Sequence, residues 1–268
     1  ALPIWLMFII SDIEKERMPP LKPGDKLSFC MASSEVQYDW VIDAGNTSIK
    51  SALFSQQECI EIKHWDYESF ASQWKEYVSK WNPSRIVYSS VSNHLPQSFC
   101  EQAKAFQVNQ LKGWDIEYHQ PDTLGVDRVA AVLGARQFFP DQFKILVVDL
   151  GTCVTYTYCH GSAIRGLSIV PGLQMRWNAM HHFTSKLPLV NSETPTDEWG
   201  TMQNLVEGGK RGWQMEQHAW IGYFCQLHDI HCVLLTGSDV VHLEIKEEKN
   251  CKIIPYLNLY GLKAWLDV

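Results

Sequence analysis

The chain has 268 residues, of which 46% are hydrophobic and 12% aromatic, enough to form the cores of one large or two ordinary domains. Its net charge of -7 and its pI near 5.8 disfavour a nucleic-acid-binding protein, because phosphate backbones are usually bound by a basic face. Eight scattered cysteines form neither a C-x-x-C pair nor a zinc-site spacing, so we expect reduced thiols in a cytoplasmic protein.

The first thirty residues differ in composition from the rest of the chain. Residues 1–10 are apolar, but this stretch is too short to span a bilayer and lacks the basic region of a signal peptide. We therefore predict no membrane partner. A charged stretch containing prolines follows, and Met31 opens a plausible start. Our hypothesis is that residues 1–30 are an upstream extension and that residues 1–38 as a whole lie outside the core fold.

From Asp39 the hydrophobic pattern predicts a strand-rich first half. Three consecutive strands with tight turns indicate an antiparallel meander, and helices follow it. The predicted elements are strands over 40–45, 48–54 and 59–65, a helix over 67–81, a strand over 85–91, a helix over 96–107, a strand over 114–119 and a helix over 125–139.

After Pro140 the same order begins again. The predicted elements are strands over 144–151, 153–161 and 163–172, helices over 175–187 and 201–228, a strand and turn over 231–239, and a closing helix over 259–266. We therefore predict an α/β protein with two domains, residues 39–143 and 144–268. Each is expected to contain a mixed sheet that opens with a β-meander and is flanked by helices.

Each meander contains an acidic turn, at residues 43–47 and again at residues 149–152. In both turns the glycine lets the backbone approach a ligand, and the turn amides and hydroxyls can bind phosphate oxygens. The acid repels phosphate, so a cation must lie between them. A single turn of this kind is more often an ordinary β-turn. Two copies that open matching halves favour a phosphate clamp.

Two further motifs have both an ordinary and a functional interpretation. Lys50 follows the first turn and either reaches a phosphate or is an exposed strand lysine. Asp127 is either an acid that stabilises a helix start or a base that accepts a hydroxyl proton in phosphoryl transfer. Arg128 beside it is either a surface charge or a fork for a substrate carboxylate.

Taken in order, four segments resemble the type III pantothenate kinases: residues 43–50, 125–128, 149–152 and 166–188. The resemblance runs from about Asp39 to the end of the chain. It implies two actin-like ATPase (ribonuclease H-like) domains of the acetate and sugar kinase/Hsp70/actin superfamily. It also implies a cytoplasmic homodimer that uses ATP to convert pantothenate to 4'-phosphopantothenate, the first step of coenzyme A biosynthesis.

The resemblance assigns roles to individual residues. ATP would be bound by the residues of the first turn and its strand together with one residue of the second turn: Asp43, Ala44, Gly45, Asn46, Thr47, Ser48, Ile49, Lys50 and Thr152. Pantothenate would be bound by Tyr118, Gly125, Val126, Asp127, Arg128 and Thr201, with Asp127 as the proton acceptor and Thr201 reaching across the dimer. Asp149 would hold K⁺ or NH₄⁺, and Asp43 would lie near the Mg²⁺ that accompanies ATP.

Two residues depart from the family pattern. Ser238 stands where the family commonly has the second glycine of a Thr-Gly-Gly-Asp turn, and Gly200 replaces an asparagine before Thr201. These departures support one alternative, a nucleotide-binding regulator of the same fold with impaired catalysis. A separate alternative is a kinase of the same fold for another hydroxyl acceptor, such as a sugar. Residues 215–228 of the last long predicted helix carry apolar and aromatic residues around much of its circumference, which favours a subunit interface.

Overall fold

The computed structural model describes residues 37–244 and 251–267. The hypothesis about the first 38 residues lies outside these ranges, except for Gln37 and Tyr38. None of the helices in the described residues is long and apolar enough to cross a membrane.

The first sheet contains the predicted meander. Its strands are β1 (Tyr38–Ala44), β2 (Ile49–Ser55), β3 (Glu58–Trp65), β4 (Arg85–Ser90) and β5 (Lys104–Ala105), arranged in the order β3-β2-β1-β4-β5. The first three are antiparallel, and β4 runs parallel to β1. The connection from β3 to β4 is helix α1 (Tyr67–Trp81), which begins with Asp66 as its N-cap and ends at Asn82 in the left-handed conformation.

The predicted helix over 96–107 is wrong. The chain forms one helical turn, α2 (Gln97–Cys100), and then strand β5 beside β4. Phe99 packs in the core that contains Trp40, whereas Phe106 packs in the core that contains Val41. Because Trp40 and Val41 point to opposite faces of β1, these two cores lie on opposite sides of the sheet. A single helix would place Phe99 and Phe106 on one face, so the chain must pass around the sheet edge instead.

The second sheet repeats the meander. Its strands are β6 (Asp115–Ile116), β7 (Lys144–Leu150), β8 (Cys153–His160), β9 (Ala163–Pro171), β10 (Cys232–Thr236) and β11 (Cys251–Ile253), in the order β11-β10-β7-β8-β9-β6. The helices are α3 (Val126–Phe138), α4 (Leu173–Phe183), α5 (Thr201–His228) and α6 (Leu257–Leu266). The strand predicted over 114–119 is only two residues long, and β11 was not predicted. The helix predicted over 175–187 ends at Phe183, because Thr184 is extended.

The strands of the first sheet come from residues 38–105 and those of the second from residues 115–253. The domain boundary between residues 143 and 144 stays a prediction.

Helices α3 and α6 touch backbone to backbone. A Cβ on Gly134 would lie 2.0 Å from the carbonyl oxygen of Leu257, and one on Gly261 would lie 1.7 Å from that of Ala130. Only glycine permits this approach. The end of α6 is fixed to the first sheet by Lys263, whose Nζ is 3.3 Å from a carboxylate oxygen of Asp39. The two helices therefore form one tightly packed pair beside the first sheet.

Candidate active site

The two acidic turns meet in the structure. Thr47 Oγ1 lies 3.0 Å from Thr152 Oγ1, although the residues are 105 positions apart. Each turn is closed by its glycine: the N–H of Gly45 donates to the carbonyl of Ser48 at 3.1 Å, and the N–H of Gly151 donates to the carbonyl of Cys153 at 3.1 Å. The chain therefore brings together the two segments that the sequence singled out, and their exposed hydroxyls face one another.

Asp43 is a buried acid with two side-chain donors. Ser89 Oγ donates to Oδ1 at 2.7 Å, and Asn258 Nδ2 donates to Oδ2 at 2.9 Å. Burial raises the pKa of Asp43 to about 6, and the charge of Asp127 adds to the rise. The two hydrogen bonds and Lys50 act in the opposite direction. Asp43 is thus held in one position but is costly to ionise in the absence of a cation.

Asp149 has the larger shift of the two acids. Burial raises its pKa to about 7, and the charges of Asp127, Asp43 and Asp239 add to this, while Lys50 lowers it. Within residues 37–244 and 251–267, no side chain donates a hydrogen bond to its carboxylate. Both oxygens remain available to a ligand, which suits a carboxylate that binds a cation.

Asp127 lies at the start of α3, close enough to affect the pKa of both turn acids. Burial raises its own pKa, whereas the N–H and the charge of Arg128 lower it; that N–H donates to Oδ1 at 2.9 Å. A Cβ on Gly125 would lie 2.4 Å from the same oxygen, so a side chain there would displace the carboxylate of Asp127. A carboxyl with a raised pKa beside two phosphate turns is suited to accept a proton.

Arg128 is buried and already partly bonded. Its Nε donates to Thr157 Oγ1 at 3.0 Å, and its Nη2 donates to the carbonyl of Tyr156. Burial lowers its pKa, while Asp127 and Tyr118 raise it, which places the Tyr118 side chain in its electrostatic neighbourhood. The edge of the guanidinium formed by Nε is therefore occupied. The adjacent edge, formed by Nη1 and the second N–H of Nη2, is available to bind a ligand.

Lys50 lies in a row of polar residues across the first sheet. Asp43 is paired with Ser89 of β4 on one side and with Lys50 of β2 on the other, and Lys50 is paired with His64 of β3. Directly paired residues point to the same face. His64 Nε2 lies 3.0 Å from Tyr256 Oη, and burial and Lys50 lower the pKa of His64. Lys50 thus has the turn acids on one side and a histidine favoured as neutral on the other.

The other predicted site residues differ in their access to a ligand. Ala44 and Ile49 are fully buried in the core that contains Trp40, so only their backbone groups can contact phosphate. Asn46 is exposed at the tip of the turn. Val126 is the half-buried first residue of α3. Thr201 is the exposed first residue of α5, and no hydrogen bond of its side chain to the site occurs in the described residues.

The turn after β10 requires one glycine, not two. Gly237 has φ of +98°, and a Cβ there would lie 2.3 Å from the carbonyl oxygen of Leu150 and 2.5 Å from Asp149 Oδ1. Ser238 is exposed, does not have a positive φ, and donates to Asp239 Oδ1 at 3.2 Å. The departure from the family pattern therefore falls at the position where the backbone accepts a side chain.

Sequence reasoning missed Ser89 and Asn258, the two donors to Asp43. Ser89 lies in the strand next to β1, directly opposite Asp43. Asn258 is 215 residues away, at the start of α6. Its signal in the sequence is a single amide in the otherwise apolar run "YLNLYGL", since a buried amide needs a hydrogen-bond partner.

No group of three or more His, Cys, Asp or Glu residues that could hold a metal ion occurs in the described part of the chain. The carboxylates of Asp43 and Asp149 do fit a cation that takes its other ligands from phosphate and water. Mg²⁺ beside a nucleotide is usually bound in this way.

Two meander sheets whose acidic turns face each other define an actin-like ATPase fold. Two solved structures resemble it, each covering 85% of this chain and 97% of its own: a putative Baf family transcriptional activator from Campylobacter jejuni (TM-score 0.54, 19% identity) and the (R)-2-hydroxyglutaryl-CoA dehydratase component A of Acidaminococcus fermentans (TM-score 0.51, 12% identity). At these identities the likeness concerns the fold alone.

Sequence comparison narrows this class to one family. The family model for type III pantothenate kinase matches residues 40–215. A type III pantothenate kinase from Cytophaga hutchinsonii is 34% identical and covers 85% of this chain and 97% of its own length. One from Flavobacterium johnsoniae is 31% identical over 75% of this chain and 86% of its own. The chain belongs to the type III pantothenate kinase family.

Proposed function

We propose that this protein transfers the γ-phosphoryl group of ATP to the primary hydroxyl of pantothenate, giving 4'-phosphopantothenate for coenzyme A biosynthesis. The observation that carries the proposal is the meeting of Thr47 and Thr152 at 3.0 Å, close to the half-buried Asp127. A phosphate held between the two turns would lie next to a carboxyl suited to accept the hydroxyl proton.

The reaction follows from the charges around the turns. The substrate oxygen attacks the γ-phosphorus, the bond to the bridging oxygen breaks, and ADP leaves. Asp127 accepts the hydroxyl proton, and its raised pKa makes it a stronger base than an exposed aspartate. Lys50, Thr47, Thr152 and the amides of the first turn hold the phosphate oxygens in place.

The acceptor side of the site is formed by the start of α3. The free edge of Arg128 would bind the pantothenate carboxylate, and Tyr118 would contact the same molecule. Gly125 and Val126 would bring the backbone of this turn against the substrate. Thr201 would come from the second subunit of a homodimer, with the exposed apolar residues of α5 in the interface. Met215, Tyr223 and Leu227 are such residues.

Two cations complete the proposal. Mg²⁺ would accompany ATP near Asp43, and K⁺ or NH₄⁺ would bind Asp149, whose oxygens have no side-chain donor in the described residues. Either ion would offset the negative charge that burial and neighbouring acids make costly at these positions.

A coupled ADP-release assay of the full chain tests the function. We expect turnover that depends on pantothenate and is stimulated by K⁺ or NH₄⁺. Pantothenol, which lacks the carboxylate, should be a weaker substrate because it cannot pair with Arg128. No pantothenate-dependent turnover with any cation would exclude the function.

An Asp127→Asn variant tests the base separately. Loss of the base should lower kcat by roughly 10²–10⁴ with a small change in KM. Asp122→Asn removes the same charge from an exposed position and should leave kcat unchanged. Full activity in Asp127→Asn would overturn the role of Asp127 and leave the overall function standing.

A further inference from the structure

A cavity lies away from the acidic turns. It has a volume of about 370 Å³ and opens between the last turns of α3, the end of α6 and the segment that leads from β5 to β6. Its lining residues are Lys104, Gln110, Leu111, Lys112, Trp114, Leu133, Arg136, Gln137, Ala264 and Trp265. None of them belongs to the turns or to the Gly125–Arg128 motif. Arg136 is about 14 Å along α3 from Asp127, at 1.5 Å per residue.

The cavity is positively charged in a protein of net charge -7. Lys104, Lys112 and Arg136 line it, and no acidic residue does. Arg136 donates to the carbonyls of Gln142 and Gly161, which leave its charge uncompensated. Within the described residues, none of the three cations forms a salt bridge with a carboxylate. A concave site with only positive charge concentrates anions.

The wall of the cavity is apolar and partly aromatic. Leu111, Trp114, Leu133, Ala264 and Trp265 contribute to it. The Nζ of Lys104 lies 4.2 Å from the ring centre of Trp265, so one cation is already positioned beside an indole. Small-molecule sites commonly combine such a wall with a few polar groups in about 300–1,000 Å³.

We propose that this cavity is a binding site for a small anion with a planar apolar body, either an aromatic carboxylate or an aromatic phosphate monoester. The anionic group would be held by Lys104 and Lys112, and the ring would lie against Trp114 and the apolar wall. The site is independent of the phosphoryl-transfer reaction and holds whether or not that function is correct.

The position of the cavity predicts that a bound ligand stabilises the packing of α3 against α6. It touches α3 and α6 near their C-terminal ends, and the same two helices carry Asp127 and Asn258 at their N-terminal ends. A ligand bound there would contact both members of the glycine-packed pair. Because ligands stabilise the state that they bind, occupancy should raise the melting temperature of the protein.

Calorimetry on the full chain tests the proposal with three probes of one shape. These are 2-naphthoate, 2-naphthyl phosphate and the neutral 2-naphthamide. We expect saturable binding of at least one anion at one site per chain, with the amide at least tenfold weaker. The two anions distinguish a carboxylate site from a phosphate site. Equal binding of the amide, or no binding of either anion, would overturn the proposal.

Variants locate the bound probe. Lys104→Glu combined with Lys112→Glu should weaken binding by at least tenfold. Ala264→Phe should fill the cavity and abolish both binding and the rise in melting temperature. The matched control is Lys75→Glu, since Lys75 is an exposed lysine beside Trp74 that lines no part of the cavity. Its affinity for the probe should equal that of the wild type.

These variants and an ATP analogue can also contradict the proposal. If Lys75→Glu weakens binding as much as the double variant, the probes bind by general surface charge and the site does not exist. If a saturating non-hydrolysable ATP analogue displaces the probe, the probe occupies the acidic turns. If Ala264→Phe fails to fold, the double variant still decides the question, because both lysines are exposed.

Discussion

The two acidic turns share a sequence pattern but are supported differently. Asp43 receives hydrogen bonds from Ser89 and Asn258, whereas Asp149 receives none from any side chain of the described residues. The pKa of Asp43 is about 6 and that of Asp149 about 7. Similar local sequences therefore give one acid fixed by the protein and one that is open to a ligand. This difference supports the proposal that Asp43 positions the nucleotide and its metal while Asp149 binds the monovalent cation.

The largest expected effect comes from neutralising each acid. Asp43→Asn and Asp149→Asn should each lower kcat/KM by on the order of 10²–10³, since each removes charge stabilisation from a buried site. Only Asp149→Asn should lose activation by K⁺ or NH₄⁺, and Asp43→Asn should change the Mg²⁺ dependence. Initial rates over titrations of each cation measure both effects. If Asp149→Asn were still activated by K⁺, the proposed assignment of different cations to the two turns would be wrong.

The next largest effect is expected from replacing glycines, and it should differ between Gly237, which lies beside Asp149, and Gly45 in the first acidic turn. Gly237→Ala should destabilise the fold by about 1–3 kcal/mol or more, because its φ and ψ are accessible essentially to glycine alone and its Cβ would strike backbone beside Asp149. Gly45→Ala should cost less, since the new Cβ would lie 3.3 Å from one carbonyl oxygen. Urea unfolding of both variants measures the difference. A Gly45→Ala variant less stable than Gly237→Ala would contradict this ranking.

A smaller effect appears in the stability of the ligand-free protein. Folding raises the pKa of Asp149 from 3.8 to about 7, so this carboxyl stabilises the fold most below pH 4, and that contribution is lost as pH rises through 7. Asp149→Asn avoids burying the charge. It should therefore be more stable than the wild type by roughly 1–3 kcal/mol at pH 8, with the difference closing near pH 4.

The measurement is urea unfolding between pH 4 and 8 in buffer without K⁺, NH₄⁺ or nucleotide. Asp141→Asn, at an exposed position, serves as the control and should show no such trend. Asp43→Asn should gain less than Asp149→Asn, because burial raises the pKa of Asp43 only to about 6 and so penalises its charged form less. A gain for Asp149→Asn that is constant across pH would indicate a cause other than its ionisation.

The smallest effect is expected at Ser238. Ser238→Gly restores the turn that is common in the family, but the backbone there is already compatible with a side chain. The KM for ATP should change by less than about twofold, since removing an exposed hydroxyl leaves the contacts of Gly237 intact. A large gain in ATP affinity would mean that Ser238 does obstruct the nucleotide.

Much of the fold could be predicted because both meanders have strong alternating patterns with tight turns. The break within residues 96–107 could not be predicted, because a helical pattern of apolar residues does not show that Phe99 and Phe106 pack on opposite faces of a sheet. At the site, the acids and glycines follow from local turn chemistry. Asn258 does not, since its partner is 215 residues away and only the folded chain brings them together.

The raised pKa values of Asp43 and Asp149 should make cation binding at the site depend on pH. Near pH 6 to 7, Asp43 and Asp149 are each protonated for part of the time. A cation that binds beside them must displace those protons, so loading of the site becomes an exchange of ions. The heat of cation binding should then vary with the ionisation enthalpy of the buffer. Where a full proton is exchanged, each unit fall in pH would weaken the apparent affinity about tenfold.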